Sequence, residues 1–286
     1  MKRPIRLIAI DLDGTLLNSK VELPQQNRSA LRRAHEAGIE IVLGTGRRHD
    51  FALPIAQSLG FDLWMLSSNG AVTRSTRGET FHRDLLSKET AQKLARTMRK
   101  FRNYMVLTFD RTGAGAIVCE NHDQLYGVIQ RWMEKNAPFI RFVSPIEDAL
   151  TEDPIQAMFC GPVQLMDSAQ DDLAACGFSA DFTALRTQYD YRDLCIVDIL
   201  NAGCSKGHAL ERWARHRGID RSEVMAIGDN YNDVEMLTFA GHPVIMGNAC
   251  EDLKLSGWTV TLHHDEHGVA ATIDQVLESN AAILNA

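Results

Sequence analysis

The chain has 286 residues, 45% hydrophobic and 23% charged, a globular composition long enough for one large domain or two modest ones. Its net charge of −7 speaks against a nucleic-acid partner, whose phosphates require clustered Lys and Arg, but leaves a small phosphorylated ligand open, since that needs only a local cation. Six cysteines with no C-x-x-C pair speak against zinc and thiol-redox motifs and fit a reducing cytosol, and no apolar run approaches the about 18 residues of a membrane-spanning helix.

The N-terminal "MKRPIRLIAIDLDG" carries basic residues, but its apolar run is broken by Asp11 and is expected to be too short for a signal peptide. Leu7 to Ile10 reads as a short buried strand of the kind found in parallel sheets covered on both faces. Pro24 to Ala37 follows as a helix, with Pro in its first turn and Gly38 just past its end. "IEIVL", Ile39 to Leu43, is a second buried strand, which completes a βαβ unit. Phe51 to Leu59 reads as another helix, and "LWMLSSNGAV" as a strand broken at Asn69-Gly70.

From about Leu85 the pattern changes. A polar helix, Ser87 to Phe101, leads to "YMVLTF" and "AIVCE", which the glycine-containing "DRTGAG" joins as a hairpin. A helix over Gln124 to Lys135, a strand "IQAMFCG", a helix Val163 to Cys176 and two strands, "FTALRTQYD" and "CIVDIL", complete a mixed α+β region. After about Asn201 the βα alternation returns: helix Lys206 to Arg217, strand "VMAI", a helix near Asn232 to Phe239, strand "HPVIM", and a last helix near Val269 to Glu278. The expected fold class is α/β: a Rossmann-like parallel sheet core with helices on both faces, built from residues 1–84 and 201–286, plus an α+β domain inserted at 85–200.

Four stretches place polar residues just past predicted core strands, at the sheet edge where open α/β folds bind ligands. In Asp11-Leu12-Asp13-Gly14-Thr15 the period-two alternation of extended chain puts both carboxylates on one side. Two close carboxylates repel unless a cation is present, and Mg²⁺, which takes oxygen ligands, relieves that repulsion; a solvated strand end is the alternative. In "GTGR", Gly44 to Arg47, the Thr45 hydroxyl and nearby N–H groups form a candidate phosphate cradle, or a plain turn. Lys206 in "CSKG" opens a helix, where the dipole disfavours a cation; it is a phosphate partner or a surface lysine. In "IGDNYNDVEML", Asp229, Asn230, Asn232 and Asp233 exceed what one helix cap requires, and fit metal ligation better.

Taken together and in this order, the four resemble the motifs of the haloacid dehalogenase superfamily of phosphatases: D-x-D-G-T, Thr45, Lys206 and G-D-x-x-x-D. The α+β insertion between the second and third looks like the larger cap of the Cof-type, subclass IIB, sugar-phosphatase-like hydrolases, and "SNGA", "MGNA" and "HGVA" agree. The resemblance implies a Mg²⁺-dependent hydrolase of small phosphate monoesters in the cytoplasm. It implies that Asp11 is the nucleophile that becomes an aspartyl-phosphate, and Asp13 the general acid and base. It places Mg²⁺ on the Asp11 carboxylate, the Asp13 carbonyl and Asp229, with Asp233 supporting or joining the shell. Thr45, Gly46, Lys206 and Asn232 are then the ligands of the phosphoryl oxygens, and Arg47 and Asn69, from core motifs facing the cap, are further substrate contacts.

A hexose phosphomutase shares this chemistry and is the neighbouring reading, and a non-catalytic phosphometabolite-binding regulator is a third. "HHDEH", His263 to His267, matches no zinc spacing and reads as a solvated loop. Tyr189, Tyr191 and Arg192 read as a sheet edge of mixed packing, with substrate contact as the alternative. Oligomeric state leaves no sequence signal.

Overall fold

The computed structural model describes residues 3–121, 123–189 and 192–285. Asp190, the last residue of "FTALRTQYD", and Tyr191 lie outside the described residues. The chain divides into two compact units, Met1–Arg83 with Ser205–Ala286, and Asp84–Cys204. The joints follow Arg83 and Cys204, where the expectation put them after residues 84 and 200; the second moves because the last strand of the insertion runs to Asn201 before the chain turns.

The first part of the core runs β1 (Leu7–Asp11), α1 (Gln25–Glu36), β2 (Glu40–Gly44), α2 (His49–Gln57), β3 (Trp64–Ser67), β4 (Val72–Ser75) and β5 (Thr80–Arg83). The insertion runs α3 (Lys88–Thr97), β6 (Met105–Thr108), β7 (Ile117–Cys119), α4 (Asp123–Asn136), β8 (Ile140–Phe142), β9 (Gln156–Gly161), α5 (Val163–Ala174), β10 (Phe182–Tyr189) and β11 (Leu194–Asn201). The chain re-enters the core with α6 (Lys206–His216), β12 (Val224–Gly228), α7 (Val234–Phe239), β13 (His242–Ile245), α8 (Glu251–Lys254), β14 (Thr259–Val260) and α9 (Gly268–Leu284).

The core sheet has the order β14-β13-β12-β1-β2-β3-β4-β5, parallel as far as β3 and antiparallel beyond it. Alternation along each strand sends residues to two different layers. Ile8, Ile10, Ile41 and Leu43 pack with Ala30 and Leu31 of α1 and Ile273 of α9. Leu7, Ala9, Val42 and Ala226 pack with Leu210 and Trp213 of α6 and Leu237 of α7. Asp11 shares the parity of Leu7 and Ala9, so the strand delivers its carboxylate to the side of α6 and α7. The two halves of the chain extend the sheet in opposite directions from β1 and β12, which makes their carboxyl ends the switch point where such sheets open a crevice.

The inserted domain has a separate sheet, β10-β11-β9-β6-β7-β8, antiparallel except for the β7–β8 pair. The expected hairpin is present as β6 and β7. One face is sealed by Leu94 and Ala95 of α3 and Met166 and Leu173 of α5, against Phe159, Val197 and Ile199. Among the described residues no helix is long and apolar enough to cross a membrane.

Three features were not expected. The hairpin β4–β5 at the end of the sheet carries Thr, Arg and Ser rather than an apolar alternation; its strands pair through an antiparallel ladder, across which Arg74 Nε donates to Thr80 Oγ1. Strand β8 and helix α8 are too short to show a period. Asn232 lies in a short 3₁₀ turn, Tyr231–Asp233, ahead of α7 rather than at its start.

After β3 the residues Ser68, Asn69 and Gly70 all have positive φ, at 48°, 54° and 95°. A Cβ on Gly70 would lie 2.3 Å from the Ser205 carbonyl oxygen, at the N-cap of α6. Gly70→Ala is therefore expected to destabilise the protein by about 2–3 kcal/mol, combining left-handed strain with a collision that moves the start of α6. Urea unfolding of the variant checks this, and an unchanged midpoint would contradict it.

Candidate active site

Past Asp11 the chain leaves the strand in a wide turn, Leu12–Leu16, in which Gly14 has φ 85°. A Cβ at Gly14 would stand 2.3 Å from Asp229 Oδ2, so only glycine lets the β1 turn approach that carboxylate. The turn ends the period-two alternation, and the two acids take different partners. Asp11, buried, accepts a hydrogen bond from Lys206 Nζ at 2.7 Å. Asp13, one-third exposed, receives both arms of the Arg47 guanidinium, Nε to Oδ2 at 2.7 Å and Nη2 to Oδ1.

Lys206 is fully buried, and its Nζ also lies 2.7 Å from Asp233 Oδ1. The helix-dipole penalty for a cation in the first turn of α6 is small beside the attraction of two buried carboxylates. Ser205 caps the helix by accepting from His208 N at 3.2 Å. Asp233 Oδ2 accepts from the backbone N–H groups of Asp229 and Asn230, each at 3.1 Å, so both of its oxygens are engaged in shaping the β12 loop. Asp229 Oδ1 accepts from Thr15 Oγ1 at 2.8 Å.

Asp11, Asp229 and Asp233 bring carboxylate oxygens within 4.8 Å of one another in buried surroundings. Three carboxylates and the single Lys206 ammonium leave a formal charge of −2. Burial is the main force on Asp11, and with Asp233 and Asp13 it outweighs Lys206 and pushes its pKa up to about 7. Burial, then the Asp11 and Asp233 charges, raise Asp229 well above the carboxylate range. Burial alone would lower Lys206, but the Asp11 and Asp233 charges and their hydrogen bonds prevail and hold the ammonium above the ordinary lysine value. The oxygen donors, the excess charge and the raised carboxylates all fit a divalent cation here.

The remaining candidates line the ends of β2 and β3. Thr45 is buried; its N–H donates to Leu66 O at 2.9 Å and its Oγ1 accepts from Arg47 N at 3.1 Å. Asn69 N donates to Thr45 O, and Ser68 N to Arg47 O, so the left-handed Ser68–Gly70 turn shapes the Thr45-Gly46-Arg47 loop. Asn232 Nδ2 donates to Asn69 Oδ1 at 2.9 Å, and that same oxygen would sit 3.3 Å from a Cβ at Gly46. Gly44, at the end of β2, faces the Lys206 side chain, with 3.6 Å between a Cβ there and Cδ. The four stretches thus meet through Asp11 and Asp233 on Lys206 and Asp13 on Arg47, and Asn232 on Asn69 ties in the turn after β3.

Two residues outside the expected set belong to this framework. Thr15 orients Asp229, and its signal is the final letter of D-x-D-G-T. Asn248 donates to Gly14 O at 2.8 Å and accepts from His264 N at 3.0 Å, tying the turn to the loop after β14; its signal is the "MGNA" stretch.

Residues 8–273 match the haloacid dehalogenase-like hydrolase family. The chain is 34% identical over 290 residues to the phosphatase YwpJ of Bacillus subtilis, covering 96% of this chain and all of that one. It is 29% identical over 301 residues to the 5-amino-6-(5-phospho-D-ribitylamino)uracil phosphatase YwtE of the same organism, covering 97% and 100%. A crystal structure of a haloacid dehalogenase-like hydrolase from Bacteroides thetaiotaomicron superposes with a TM-score of 0.77 at 30% identity, covering 95% of this chain and 99% of that one. With the motif residues gathered at one sheet edge and the family matched over nearly its whole length, the chain belongs to the haloacid dehalogenase-like hydrolases, is of the Cof type, and is a phosphoric monoester hydrolase.

Proposed function

We propose that the protein is a Mg²⁺-dependent phosphatase that hydrolyses phosphate monoesters of small metabolites, sugar phosphates foremost, through an aspartyl-phosphate on Asp11. The observation that carries this reading is the buried Asp11–Lys206–Asp233 arrangement beside Asp229 at the β1/β12 switch point. Asp11, the Asp13 carbonyl and Asp229 would hold the ion, with Asp233 bracing the loop that presents Asp229. Bound there, Mg²⁺ supplies charge neutralisation for the transferring phosphoryl group.

Asp11 attacks phosphorus in line with the ester oxygen; the new O–P bond forms as the ester O–P bond breaks. Lys206, the Thr45 hydroxyl, the Gly46 N–H and Asn232 receive the phosphoryl oxygens. Asp13 gives a proton to the departing alkoxide and then takes one from the water that cleaves the acyl phosphate, releasing phosphate and restoring Asp11. Because Arg47 engages both Asp13 oxygens, this transfer requires the fork to open, which frees Arg47 for the substrate. The ribityl phosphate named for one relative supports a phosphorylated polyol or sugar as the substrate class. Six free thiols, four of them buried, support a cytosolic setting.

Asp11→Asn is expected to lower p-nitrophenyl phosphate hydrolysis by at least about 10³-fold, and EDTA to abolish it reversibly. Equal activity in all these conditions would refute the assignment. With a hexose phosphate as substrate, free phosphate is the expected main product; accumulation of a phosphate isomer would establish a mutase instead.

The raised pKa of Asp11 sets a second expectation. Between about pH 4 and pH 7 the folded carboxyl keeps a proton that the unfolded chain has released, so this group makes the metal-free protein lose stability as pH rises. A cation binding the ionised cluster counters that loss, so Mg²⁺ should raise the melting temperature more at pH 7.5 than at pH 5. Thermal melts with Mg²⁺ and with EDTA at both pH values check this, and equal increments would contradict it.

A further inference from the structure

The loop read from sequence as merely solvated, His263 to His267, has a built geometry. The ligand atoms of His263, His264 and Asp265 all lie within 4.8 Å of one another, so three consecutive residues converge because the chain curls into a 3₁₀ turn, His264–Glu266. We propose that these residues bind a transition-metal divalent cation, of which Zn²⁺ is the type, at a site chemically distinct from the acidic cluster of the active site.

His264 is held at two points. Its backbone N–H donates to Asn248 Oδ1 at 3.0 Å, and its ring Nδ1 lies 2.8 Å from the Leu17 carbonyl oxygen. A carbonyl only accepts, so Nδ1 carries the proton and the neutral ring presents its lone pair on Nε2. An imidazole N–H resting on a backbone carbonyl is the pattern that orients metal-binding histidines. Asp265 is fixed similarly: Oδ1 accepts from Ser19 N at 2.8 Å, leaving Oδ2 3.8 Å from His264 Nε2 and 3.8 Å from His263 Nδ1.

Two donors on a tetrahedral ion at about 2.0–2.1 Å stand about 3.3–3.4 Å apart, so small side-chain rotations close the site. His263 is the adaptable member. Its ring lies 4.6 Å from that of His264, and its Nδ1, which accepts the Asp265 N–H at 3.1 Å, exchanges that bond for the ion when the ring rotates. His263 and Asp265 are each 42% exposed at the side chain, which gives an ion a route from solvent. Imidazoles with one carboxylate select borderline metals, whereas Asp11, Asp229 and Asp233 offer only oxygen and suit a hard cation.

An ion here would clamp the 263–265 turn to the segment from Leu17 to Ser19, which continues directly from the Asp13 turn and whose neighbour Gly14 is already tied to the same loop by Asn248. The site thus fastens the chain that follows the catalytic turn.

The test uses the full protein saturated with Mg²⁺. With one equivalent of Cu²⁺ as the probe, paramagnetic resonance is expected to show nitrogen coupling from two imidazoles; the acidic cluster, having no imidazole, cannot produce it. His263→Ala should reduce the coupling to one nitrogen, and His264→Ala should remove ordered binding. Asp265→Asn keeps an oxygen for Ser19 N–H and preserves the loop, and should weaken Zn²⁺ binding in calorimetry at least about 10-fold. An oxygen-only Cu²⁺ spectrum in the wild type, or equal Zn²⁺ affinity in the wild type, His264→Ala and Asp265→Asn, would overturn the proposal.

Discussion

The buried ammonium of Lys206, shared between Asp11 and Asp233, is the interaction on which the rest of the site depends. A fully buried charge is tolerable only when it is paired and hydrogen-bonded, and removing one partner of such a pair costs about 3–5 kcal/mol. The pairing joins the first strand, the helix that follows the insertion and the loop after β12. It therefore couples a charge balance to the assembly of a sheet whose strands come from opposite ends of the chain.

That balance is deliberately incomplete. One ammonium does not neutralise three carboxylates, and burial raises Asp11 and Asp229 rather than letting solvent screen them. The same low-polarity surroundings that make the metal-free cluster costly make a bound cation effective. Asp13 adds to this excess of negative charge and helps to raise Asp11. More exposed than Asp11, it is engaged by Arg47 rather than by the buried lysine.

The approach of the elements is controlled by backbone as much as by charge. Gly14 admits the β1 turn against Asp229, and the left-handed Ser68–Gly70 turn admits the start of α6 against β3. Asn248 then links the β1 turn to the loop before α9, where His264 and Asp265 hold the backbone of residues 17 and 19. The β1 turn is thus braced by polar contacts in addition to the apolar packing of Leu12 and Leu16.

The sequence by itself determined the class of fold, because continuous apolar strands such as Leu7 to Ile10 and amphipathic helices such as α6 carry their periods locally. It also determined which residues to examine, because D-x-D-G-T, Lys206 and the Asp229–Asp233 stretch are recognisable chemistry in order. It was silent on the polar hairpin β4–β5, whose ladder carries no hydrophobic alternation to announce it. It was also silent on the partners of Asp11 and Asp13, since alternation ends where the strand does. Only the tertiary structure decided that Lys206 takes Asp11 and Asp233, that Arg47 takes Asp13, that Asn69 takes Asn232, and that "HHDEH" curls into a cluster. Each is a contact between atoms far apart in sequence or set by a turn, and such contacts depend on distances that no local period encodes.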